Sequence, residues 1–156
     1  MVMSQSTLAT QLRGMTKTSV ESLAITHLVD AYATFAQDAM AGVIPIAPSG
    51  IQLGKTAMSA ALVGMSAPGA GLVSIPASIV AFWVAAATVA AFPGTTVVTP
   101  PPNAGLATLL AATFPANVAG SLTLQQAAAA LAANMYAQAI IGGTVTLTIG
   151  GTAPIA

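Results

Sequence analysis

The chain has 156 residues, and only 4% of them are Asp, Glu, Lys or Arg, against about 25% in an ordinary soluble domain; the length allows one domain with one real core. All the formal charges are Arg13, Lys17, Glu21, Asp30, Asp38 and Lys55, and the 101 residues from Thr56 to Ala156 contain none, nor any histidine. Three cations are too few to track a phosphate backbone, which excludes nucleic acid as a partner, and the lack of cysteine excludes disulfides and thiolate metal sites.

The opening stretch, MVMSQSTLATQLRG, lacks the apolar core of a secretory leader, so none is expected, and residues 1–17 are read as an N-terminal arm. The first helix is expected from Thr18. Glu21 stands three residues on, the spacing of a capping box, with Ser19 as the alternative cap. Leu28, Tyr32, Phe35 and Ala39 recur at helical spacing, and Gly42 is a natural stop. Every acidic residue sits on this segment, so it reads as the solvated helix of the fold.

Pro45 and Pro48 favour extended backbone at 43–47. A second helix follows over IQLGKTAMSAALVGM, weakened by Gly54 and Gly64 and ended by Pro68-Gly69. A third is expected from about Ser74, with Pro76 in its first turn, to Pro93-Gly94. Residues 95–99 read as extended, and Pro100, Pro101 and Pro102 as a polyproline spacer. LATLLAATF makes a short fourth helix, and SLTLQQAAAALAANMYAQAI a fifth, with Leu124, Ala128, Leu131 and Met135 as its seam. In the tail, Val145, Leu147 and Ile149 alternate with Thr144, Thr146 and Thr148 between glycine pairs, the signature of a strand.

The expected fold is therefore mainly α: four to five Ala-rich helices, a few short extended strands and a C-terminal strand. Residues 18–141 form the helical domain and 142–156 a C-terminal strand or arm. The pieces near 43–47, 95–99 and 144–149 either pair with one another, or the last adds to a sheet edge in another subunit.

The 21 uncharged residues from Leu72 to Phe92 are long enough to span a bilayer. Nine are Leu, Ile, Val or Phe, contributing roughly −3 to −5 kcal/mol to insertion. The flanks oppose it: no Lys or Arg lies within fifteen residues of either end, and Trp83 falls mid-segment rather than at an interface. A helix buried among Ala-rich neighbours is the better account, and a coat of other protein subunits suits the uncharged surface.

Chemistry is scarce. His27 and Asp30 are spaced i, i+3, half a metal site at best, with only Glu21 and Asp38 left as carboxylate donors. GIQLGKT ends like a phosphate loop, but Ser49 stands where the motif requires glycine. No serine or threonine has a base available other than His27. No enzyme activity, cofactor or metal is expected. Arg13 and Lys17 are ordinary solvated charges, and TPPPN is a spacer rather than a peptide ligand. Met58 and Met65, seven apart on one helical face, fill a core or offer an adaptable contact surface. Together with Val145, Leu147 and Ile149 they are the candidate interface residues.

The passage from AAALAANMYAQAI into GTVTLT, and the closing APIA, in a short, nearly chargeless, proline-punctuated chain, resembles the small virion structural proteins of tailed bacteriophages, tail or baseplate components more than capsid decoration. The resemblance implies a structural subunit of the virion, assembled in the host cytoplasm, which packs in several copies with itself and other virion proteins and exchanges arms with its neighbours. Removal of 142–156 is then expected to abolish incorporation while leaving the helices folded. Two other roles compete. One is a membrane-active ejection or pore-forming protein that inserts residues 72–92. The other is a cellular shell or filament scaffold.

Overall fold

A computed structural model describes residues 3–14, 20–65, 67, 70–89, 91–99, 106, 108, 110–112, 124–140, 144–147 and 151–156. The protein is mainly helical, with six helices among the described residues and a few short strands that include a C-terminal pair. The elements in chain order are α1 (Gln5–Arg13), α2 (Glu21–Ala36), β1 (Met40–Ala41), β2 (Ile44–Pro45), α3 (Pro48–Ala61), α4 (Gly71–Ala87) and β3 (Thr95–Thr99). The short helix α5, described at residues 106, 108 and 110–112, comes next. The chain closes with α6 (Leu124–Ile140), β4 (Thr144–Leu147) and β5 (Thr152–Pro154).

The segment expected as an N-terminal arm holds α1. Leu8 and Leu12, one turn apart, bury with Met3 and Ala9 in the common core, and Arg13 in the last turn complements the helix dipole. Helix α1 packs on α6 and on α2, α2 packs in turn on α3, and α3 on α4.

Helix α2 differs most from its reading as a solvated element. The expected stripe is buried throughout, Leu28, Tyr32, Phe35 and Ala39, and Ile25, Val29, Ala31, Ala33 and Ala36 are buried with it. The acidic residues are confined to the rest of its circumference and its ends, so they mark one side of a central helix. It starts at Glu21 behind Val20, which makes no side-chain cap. Thr18 and Ser19 lie outside the described residues. Glu21 Oε1 instead accepts a hydrogen bond from Gly64 N, at 2.6 Å, just beyond α3.

Beyond α2 the chain turns back through Gly42, at φ +63° in the two-residue turn that pairs β1 with β2, Met40 opposite Pro45 and Ala41 opposite Ile44. Pro48 then opens α3 in its first turn.

Helices α3 and α4 form the closest pair, and glycine makes that approach possible. A Cβ on Gly54 would lie 2.6 Å from the Phe82 ring, and one on Gly50 would lie 3.1 Å from Ala91 Cβ. Helix α4 begins at Gly71, so Pro76 lies inside it rather than in its first turn. Pro76 has no N–H for the Leu72 carbonyl, and it is accommodated in a buried position beside Ser78, whose hydroxyl donates to the Ile75 carbonyl at 2.8 Å. The helix stops at Ala87, short of Phe92.

The question of strand pairing resolves within the chain. Strands β3, β4 and β5 form an antiparallel sheet in that order, with β4 central. Met40 and Ala156 exchange reciprocal backbone hydrogen bonds, each 2.9 Å, and Ala41 bridges Ile155, which ties the chain end to the β1–β2 hairpin. Pro45 and Pro154 both sit in short strands with one open or lightly paired side, where a missing N–H is tolerated.

One core runs through all of this. Its centre is an aromatic chain in which each ring meets the next: Tyr136, Phe35, Tyr32, Phe82, Trp83 and Phe92, at centroid separations of 5.2 to 6.4 Å. The chain crosses from α6 through α2 to α4 and beyond it. Trp83 Nε1 donates to the Tyr32 hydroxyl at 2.9 Å, with both residues fully buried. The mid-segment tryptophan is thus explained by core packing.

Candidate functional site

The expected interface residues are placed as follows. Val145 is buried in the central strand opposite Val98 and Ala153. Leu147 is partly buried against the core, and its N–H donates to the Gly151 carbonyl. Met58 is fully buried, and Met65 is half-buried against the same core. Ile149 lies outside the described residues. The side chains of Val145 and Met58 are therefore spent within the chain and leave nothing on the surface for a partner. Their alternating and sevenfold spacings report core faces.

The rest of the sparse chemistry is also placed. Asp30 pairs with Lys55 across α2 and α3 at 2.7 Å, and both side chains keep substantial exposure. A pair of that kind is worth about 0–1 kcal/mol. His27 is exposed. No group of three or more metal-ligating side chains occurs among the described residues. GIQLGK is not a loop: it lies in α3, with Gly50 and Gly54 turned toward α4, so its amides are engaged in the helix and cradle no phosphate. Lys17 and the triple proline lie outside the described residues. A cleft of about 200 Å³ opens between Gln37, Ile46, Pro48, Ile51 and Gln52. It offers two amides and no acid, base or nucleophile, so it has no means of general acid–base or covalent catalysis.

What the surface does present is apolar. Val20, Leu23, Val43, Leu53, Val63, Val73, Val84 and Val89 are exposed. Val73 and Val84 are 72% and 50% accessible and stand eleven residues apart on α4, three turns of helix, so they share a face. Exposed Ala77 and half-buried Val80 lie between them on the same line. This ridge was hidden at the sequence level because α4 is apolar all round and shows no periodicity. The signal that would have found it is the missing polar face. No described helix is long and apolar enough to cross a membrane.

Comparison with family models, with curated proteins and with solved structures finds no match to this chain.

Proposed function

We propose that the chain is a structural subunit that acts by contact in a multi-copy assembly, and that the assembly is a tailed bacteriophage particle, in its tail or baseplate. The observation that carries this reading is the surface beyond Lys55. It holds no formal charge, yet exposes Val63, Val73, Val84 and Val89. A free monomer stays dispersed through interspersed surface charge. A subunit covered by its neighbours needs none, and avoids like-charge repulsion when identical copies meet. The phage assignment rests on the resemblance of the alanine-rich, proline-punctuated chain to small virion proteins.

Contact in this subunit is by faces rather than by exchange of its C-terminal segment. Both edges of β4 are already paired, and Ile155 is buried under the hairpin. Insertion of residues 72–92 into lipid loses its motive, since the helix ends at Ala87 and the tryptophan and both phenylalanines of that stretch are buried in the core. The test is immunogold labelling of purified tailed particles with antibodies to this chain. Label at the tail or its tip is the expected result. Label on cell membranes or on cellular filaments, with bare particles, would overturn the phage assignment.

A further inference from the structure

The outward ridge of α4 has no partner among the described residues. Val73, Ala77, Val80 and Val84 follow one another at steps of four, three and four, on the side of the helix opposite buried Ile79, Phe82 and Ala86. We propose that this ridge is the docking face for a second copy of the same chain, helix against helix. The inference rests on the multi-copy reading above and names the surface that performs it.

Three observations select the occupant. A helix that is apolar on every side belongs under cover, in a core, a membrane or an assembly. Lipid is a poor cover here: α4 has 17 residues with Pro76 inside it, and no described helix is long and apolar enough to cross a bilayer. A helix lying in the membrane surface keeps a charged face toward water, and α4 has no charged residue at all. Protein is the remaining cover.

A second copy fits better than an unlike partner for an electrostatic reason. In a two-fold contact each side chain meets itself or a near neighbour on the other subunit, so any charge on the face opposes its own sign. The ridge and the 101 residues from Thr56 to Ala156 carry no charge, which makes the face compatible with itself. Valines at i, i+4 form ridges, and Ala77 and Ala81 leave shallow grooves beside them into which a like ridge packs. From Val73 to Val84 the face is only about 16 Å long at 1.5 Å per residue, a single ridge that needs further faces beside it to hold an assembly. The association is therefore concentration-dependent, as suits a subunit joined at several faces.

Sedimentation velocity of the full chain over a wide concentration range tests this, with Val84→Lys and, separately, Val73→Lys on the ridge. Val43→Lys, at an 89% exposed position on the β1–β2 turn, is the control. Fluorescence of buried Trp83 verifies that each variant is folded. The expected result is self-association of the wild type and the control, weakened at least about tenfold in both ridge variants by a lysine forced into an apolar contact. If the ridge variants associate like the wild type, the α4 face is wrong and the multi-copy reading survives. If the wild type stays monomeric at every concentration, a second copy does not dock there, and the immunogold result alone decides the phage assignment.

Discussion

At the scale of single residues, two contacts carry the core. Gly54 is required by the Phe82 ring, which stands 2.6 Å from where a Cβ would be. Phe82 is itself fully buried between Tyr32 and Trp83, so it cannot swing aside. Gly54→Ala is expected to cost about 1–3 kcal/mol through overpacking, read as a lower urea midpoint, and Phe82→Leu in the same chain should recover part of that loss. Tyr32 is the second contact. Its hydroxyl accepts the Trp83 indole N–H in a site closed to water. Tyr32→Phe leaves that donor without its acceptor, at about 1–3 kcal/mol. Burial pushes the Tyr32 phenol well above the ordinary value of 10.0, against a smaller pull downward from the Trp83 hydrogen bond. The folded state thus holds its proton more tightly than the unfolded chain. The stabilisation is whole below about pH 10 and is lost as pH rises from there toward the folded value. Chemical denaturation at rising alkaline pH should show that decline in the wild type and a shallower one in Tyr32→Phe.

At the scale of elements, the C-terminal fifteen residues decide more than an arm would. They supply β4, the middle strand, and β5, and they bury Val145 and Ile155. Truncation after residue 141 should therefore abolish cooperative unfolding and the near-ultraviolet signal of the packed aromatics, rather than leave a folded helical body without its arm. Survival of a cooperative transition in the truncated chain would contradict this. What was legible beforehand follows from periodicity. The α2 stripe from Leu28 to Ala39 was visible because its polar positions separate it from the other face, and the threonine–aliphatic alternation of β4 has a period that only a strand uses. Helix α1 was missed because QSTLATQLR is polar enough to pass for an arm, with just Leu8 and Leu12 marking its buried side. Strand β5 was missed because three residues are too few for any period. Propensity alone puts Pro76 in a first turn, whereas α4 gains enough from burying Ile79, Phe82, Trp83 and Ala86 to run through it. Val145 and Met58, two of the candidate interface residues, are buried for a related reason. In a chain this apolar, regular spacing marks the core, and the outer surface is marked by nothing.

At the scale of the whole molecule, charge is segregated along the chain. The formal charges lie at or before Lys55, and everything after it is neutral. Pairing of Asp30 with Lys55 uses two of them in a contact worth little; Lys55→Ala should move the unfolding midpoint by less than about 1 kcal/mol while leaving any assembly intact. A neutral, partly apolar exterior over two thirds of the chain lacks the interspersed charge that keeps a free monomer dispersed. In the proposed assembly other protein subunits cover this exterior, over the α4 ridge and the exposed valines. The most direct test is to express the full chain without detergent, separate membranes from the soluble fraction, and measure the native mass of what is soluble. The account predicts soluble material whose mass is a discrete multiple of 15.2 kDa, or large regular particles. Recovery in the membrane fraction alone, released by detergent, or a soluble monomer at every concentration, would contradict it.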